Sequence, residues 1–156
     1  KYLDNSSGSE GFRTHCDIGR CIERSQLFTA TRSGTLTAVS ITAFRSGYPD
    51  DSLYISIYPA DEKGLPVAGK PLSAAAFPAD AISWSPQRVT IRPDIKVTRG
   101  KRYAIVTRSG ATTGCYGVAY SDAAPYPGGG AGYSGDCGKV FKAEENRSLQ
   151  FMTFVK

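Results

Sequence analysis

Histidine is nearly absent from this chain: His15 is the only one in 156 residues, and it sits beside Cys16. Hydrolytic triads and dyads need a base, usually histidine, oriented by a further group, and neighbours in an extended chain point their side chains apart. No G-x-S-x-G motif occurs, and Ser109-Gly110 makes no nucleophile elbow. The acidic pairs Asp50-Asp51, Asp61-Glu62 and Glu144-Glu145 are adjacent residues in turn-like contexts. Solvated charge is their expected state, whereas a glycosidase needs two carboxylates facing each other across a cleft. We therefore expect no enzyme.

Long apolar runs are lacking too: nothing approaches the ~18 residues a membrane span requires, so no membrane insertion is expected. The chain starts at Lys1 rather than at a Met with a charged and then apolar segment, which puts any signal peptide outside this sequence. A net charge of +5 could suggest an anionic partner, but Lys and Arg are scattered singly among nearly as many carboxylates, with no run of four. A solvated basic surface is favoured, and no nucleic acid is expected as a partner.

Cysteine is sparse but even in number, at positions 16, 21, 115 and 137. Zinc knuckles use tighter spacing and histidines, so two disulfides are favoured over a metal site. Of three connectivities, Cys16 with Cys21 and Cys115 with Cys137 is preferred, because each bond then staples one local loop. Disulfides persist in oxidising compartments, which points to a secreted, extracellular or periplasmic protein. The sequons at Asn5 and Asn146 matter only in a eukaryotic host.

What the chain does have is a period of two. Residues 26–32 predict a strand, Ser33-Gly34 a turn, and residues 35–44 a longer strand. In 51–58, Leu53, Ile55 and Ile57 alternate with Tyr54, Ser56 and Tyr58, the mark of a half-buried antiparallel strand. Residues 60–70, with Gly64, Pro66 and Gly69, read as a loop. Strands follow at 88–91, 95–97 and 101–107, and a last one at 149–155 puts Leu149, Phe151, Thr153 and Val155 on one face. No helical repeat persists for a dozen residues, and the Ala-rich stretch 73–81 is interrupted by Pro78. Eight to ten short strands predict an all-β fold, an antiparallel β-sandwich of jelly-roll type. We expect residues 1–24 to form an N-terminal arm with a local disulfide loop, and 25–156 the sandwich.

Residues 110–138 break the strand rhythm with many glycines and with Tyr116, Tyr120, Tyr126 and Tyr133. Bridged from Cys115 to Cys137, this segment predicts a long aromatic loop fastened at its base, a usual place for recognition. Asp122 and Asp136 are eligible acceptors beside the tyrosines. Tyr54, Tyr58, Tyr103 and Trp84 are expected to pack in or against the sandwich, Tyr103 and Trp84 above all, with the polar sheet face around Tyr54 and Tyr58 as the alternative site. Asp50 and Asp51 lie in a turn and are eligible ligands for a hard cation such as calcium.

The order Ser25-Gln26-Leu27-Phe28-Thr29-Ala30, Gly34-Thr35-Leu36-Thr37-Ala38-Val39, Gly64-Leu65-Pro66 and residues 97–106 from Val97 through Gly100 to Val106 resembles the jelly-roll accessory modules of secreted bacterial proteins. The resemblance runs from about residue 25 to the end. It implies a non-catalytic carbohydrate-binding module, with a polysaccharide or glycan as partner, a catalytic domain in the same polypeptide, no cofactor and at most a structural calcium. Exposed aromatics and nearby polar groups would hold the glycan, since a sugar ring offers CH groups on its face and hydroxyls at its edge. A structural or adhesive β-sandwich domain of a bacterial surface protein is the alternative.

Overall fold

The computed structural model describes residues 2–7, 12–67, 69–122, 126–144 and 146–156. Its strands are β1 (Tyr2–Ser7), β2 (Arg13–Ile18), β3 (Glu23–Thr29), β4 (Gly34–Ser46), β5 (Leu53–Pro59), β6 (Ser73–Phe77) and β7 (Gln87–Ile91). They continue as β8 (Ile95–Val97), β9 (Arg102–Arg108), β10 (Cys115–Ser121), β11 (Ala131–Ser134), β12 (Lys142–Glu144), β13 (Ser148–Leu149) and β14 (Phe151–Val155). The Ala-rich stretch becomes β6 followed by one 3₁₀ turn, Ala79–Ala81.

These strands form an antiparallel sandwich. One sheet runs β1-β14-β4-β10-β13, with β2 on β10 and β7 and β8 on β4; the other runs β12-β11-β3-β9-β5-β6. The chain changes sheets at most connections, as a jelly roll does. Alternation decides which side chains meet between the sheets: Leu53, Ile55 and Ile57 of β5 are buried, as are Tyr103 and Ile105 of β9 and Phe28 of β3. Leu149, Phe151 and Val155 face them from β13 and β14, and Thr153 lies on the same inward side.

Two sequence expectations are corrected here. The described part of residues 1–24 is no loose arm, because β1 pairs with β14 and β2 with β10, so these two strands are built into the sheet. The disulfides are Cys16–Cys115 and Cys21–Cys137, not the local pairs. The physical reason is strand order: β2 lies against β10, which brings Cys16 to Cys115, while β3 lies against β11, which brings the turn holding Cys21 to the segment holding Cys137. The Cys137 N–H also donates to the Cys21 carbonyl at 2.9 Å. Gly117 allows the close approach of β2, since a Cβ there would collide with the His15 carbonyl and the Phe44 ring.

Candidate functional site

The segment expected to be an aromatic loop contains two strands, β10 and β11, and its tyrosines lie against other parts of the chain. Tyr116 and Tyr120 lie on β10, whose side chains are shared between two neighbouring strands, and both are buried. The Tyr116 hydroxyl donates to the Asp51 carbonyl at 2.6 Å, and burial pushes its phenol up to about 12. Tyr120 is stacked on His15 at 4.5 Å between ring centres and under the Arg147 guanidinium at 4.1 Å. Tyr126 donates to the Asn5 side chain at 2.6 Å and meets Phe151 edge-on. Tyr133, on β11, carries the Arg24 guanidinium over its ring at 4.6 Å. Residues 123–125 lie outside the described residues.

The two carboxylates of that segment are also engaged within the chain. Asp122 pairs with Arg147 at 3.0 Å, and Asp136 accepts from the Ser134 hydroxyl at 2.8 Å and the Val140 N–H at 3.0 Å. Arg147 joins Tyr120, Asp122 and Glu144, and Glu144 also pairs with the Arg24 that covers Tyr133, whereas Tyr116, Tyr126 and Asp136 are held by other partners.

Asp50 and Asp51 fit turn formation better than a cation. Asp50 accepts from the Thr112 hydroxyl and from the N–H groups of Thr112 and Thr113, and these hold its carboxyl down to about 2. Asp51 accepts from the Gly110 N–H at 2.9 Å and the Tyr54 hydroxyl at 3.0 Å. A cation would have to displace these donors, and the described residues bring no group of three acidic, His or Cys side chains together.

The structure instead forms a cleft on the outer face of the six-stranded sheet, next to the alternative site around Tyr54 and Tyr58. Because Tyr103 and Ile105 point into the core, Val106 and Arg108 of β9 point outward; Tyr58 of β5 and Glu23 of β3 do so for the same reason. The loop through Pro66 and Val67 closes one side, and Cys137, Gly138 and Phe141 line the cleft from the β11–β12 connection. The volume is about 440 Å³, within the range of small-ligand sites. Cys21–Cys137 fastens the β11–β12 segment to the turn that leads into Glu23.

Glu23 is the unusual group. The residue is only 8% exposed, but its carboxylate opens into the cleft and takes no donor from the described residues. Burial raises its carboxyl above the ordinary range, opposed by the Arg108 charge and reinforced by Asp136. Gly138 lies so close that a Cβ there would fall 2.8 Å from a Glu23 oxygen. Arg108 is exposed, with its guanidinium 4.6 Å from the Tyr54 ring centre, and Arg20 lines the same cleft while donating to the Thr112 carbonyl at 3.2 Å. The cleft thus joins apolar walls to an unpaired acceptor and two guanidinium donors. Sequence reading missed Glu23 because Glu23-Arg24-Ser25-Gln26 is a polar run with no apolar alternation to mark it as strand or as buried.

Trp84, expected to pack in or against the sandwich, lies against Arg45 of β4 but is 69% exposed. It follows the 3₁₀ turn at the rim, outside both sheets. No family model matches the chain, and no curated protein sequence matches it.

Proposed function

We propose that this chain is a non-catalytic carbohydrate-binding module that holds a glycan in the cleft of the six-stranded sheet. The observation that carries this reading is Glu23, a largely buried residue whose carboxylate opens into the cleft beside Tyr58 and Phe141 and takes no donor from the described residues. Partial burial leaves its charged form poorly solvated and raises its carboxyl, and a ligand donor reaching it through the cleft would relieve that. Sugar hydroxyls donate to such a carboxylate and accept from Arg108 and Arg20, while CH faces pack on Tyr58, Val67 and Phe141.

The wider setting belongs to the same proposal. Two disulfides accord with an oxidising compartment, and among the described residues no helix is long and apolar enough to cross a membrane. We place the protein outside the cell, appended to a polysaccharide-active enzyme that it keeps near its substrate.

Calorimetric titration with a panel of soluble polysaccharides and oligosaccharides tests the reading. Glu23→Gln should weaken binding about tenfold or more, because hydrogen bonds to a charged group contribute about 1.5–3 kcal/mol. The same substitution removes a poorly solvated charge, so thermal stability at neutral pH should hold or rise. Tyr58→Ala should cost affinity on a similar scale with little change in melting temperature. Full affinity in both variants would remove the cleft as the site.

A further inference from the structure

A second aromatic site stands apart from the cleft. Trp84 and Tyr48 are large aromatic side chains left 69% and 60% exposed, and both rings lie against one guanidinium, that of Arg45, at 4.6 and 5.1 Å from their centres. An exposed pair of this kind would ordinarily be mobile. Here every polar edge is tied down: Arg45 donates to the carbonyls of Ile82 and Gly47 at 2.7 Å each, the Trp84 indole N–H donates to the Gly47 carbonyl at 3.3 Å, and the Tyr48 hydroxyl donates to Asp80. Backbone pairing of Arg45 with Ser83 at 2.9 Å fixes the strand end that carries the guanidinium to the segment that carries Trp84.

The consequence is chemical. With their hydrogen-bonding edges engaged and Arg45 against both rings, what they offer solvent is their remaining apolar surface, in an orientation already set before any ligand arrives. Arg45 and Asp80 balance in charge, so the patch does not select an anion or a cation. Its surroundings are exposed and mostly small or polar, namely Ser46, Gly47, Asp80 and Ser85. That limits the apolar area to the two rings, well below the roughly 800 Å² per partner of a standard protein interface.

We propose that Trp84 and Tyr48, held by Arg45, form a second glycan-binding platform that stacks on the CH faces of sugar rings presented at the surface of an ordered polysaccharide. The cleft would take a single chain end or segment, and the two rings would take sugar rings exposed at a polysaccharide surface. This rests on the carbohydrate reading above, and it uses a different part of the molecule.

Trp84 is the only tryptophan in the chain, so its fluorescence reports this site alone. Depletion assays on microcrystalline cellulose, chitin and insoluble xylan measure retention, and hexaoses of the same sugars are titrated while tryptophan emission is followed. The expected result is retention on at least one solid, a blue shift and reduced acrylamide quenching with the matching hexaose, and a loss of retention of about tenfold or more in Trp84→Ala and Tyr48→Ala. Trp84→Phe should keep most of the retention. Glu23→Gln should leave the emission shift in place while weakening the calorimetric signal of the cleft, which separates the two sites. Retention unchanged in Trp84→Ala, no emission change with any hexaose, or no retention of the wild type on any of the three solids would each overturn the platform. If cleft binding vanished while retention through Trp84 persisted, the cleft would fall and the platform would stand.

Discussion

Thr153 shows how a single atom can decide a residue's contribution. It sits fully buried on β14, on the same inward side as Phe151 and Val155, and its hydroxyl has no hydrogen-bond partner. An unpaired buried hydroxyl costs about 1–3 kcal/mol, whereas a methyl in the same place packs. Thr153→Val is therefore expected to stabilise the fold by about 1 kcal/mol, read as a higher urea midpoint with an unchanged slope. Unlike Glu23, Thr153 lines no cleft, so this gain should leave glycan affinity alone. A second residue with a defined signature is His15, whose imidazole is held below its ordinary value of 6.5 by burial first, then by the Arg24 charge, with Arg147 adding and Asp17 and Glu144 opposing. A base that is harder to protonate when folded contributes stability that is complete above the unfolded pKa and is lost as pH falls through and below it. The urea midpoint should drop between about pH 7 and pH 5 more in the wild type than in His15→Gln. The comparison is needed because Glu23, with a raised carboxyl, pulls the wild type and the variant alike in the opposite direction.

At the scale of elements, the strands whose alternation is clean were legible and the one set among glycines was not. β5 follows its sequence pattern, with Leu53, Ile55 and Ile57 inward and Tyr54 and Tyr58 half-exposed. The last two strands are as simple: Leu149, Phe151, Thr153 and Val155 all point inward as their spacing predicts. On β10, Tyr116, Val118 and Tyr120 alternate inward into the core, but the glycines around them and their place between two cysteines made the segment read as a loop. Glycine content suggested a loop there, whereas Gly117 and Gly132 mark places where a neighbouring strand or side chain comes too close for a Cβ. The cleft was illegible for another reason. Glu23, Tyr58 and Arg108 come from three strands far apart in sequence, and only the order β3-β9-β5 makes them neighbours.

For the whole molecule, the two disulfides act over long distances in the chain, and that sets the last prediction. Cys16 and Cys115 are separated by 99 positions, and Cys21 and Cys137 by 116, so each bond ties an N-terminal segment to a strand or connection late in the sequence. On chain-entropy grounds a loop of roughly 100 residues is worth about 4–5 kcal/mol, against about 3 kcal/mol for the local loop of roughly 20 residues that pairing Cys115 with Cys137 would have closed. Non-reducing digestion should therefore yield one linked peptide pair containing Cys16 and Cys115 and another containing Cys21 and Cys137. A Cys115–Cys137 peptide would contradict the strand order itself, not merely the cysteine assignment. The two bonds should also differ in what they protect. Replacing Cys16 and Cys115 with serine frees β2 from β10 and should lower the melting temperature by several degrees or more, with the cleft intact in whatever fraction stays folded. Replacing Cys21 and Cys137 releases the segment that lines the cleft through Gly138 and Phe141, so it should weaken glycan binding in the folded protein as well as lower its stability, because the wall would have to be ordered at the moment of association.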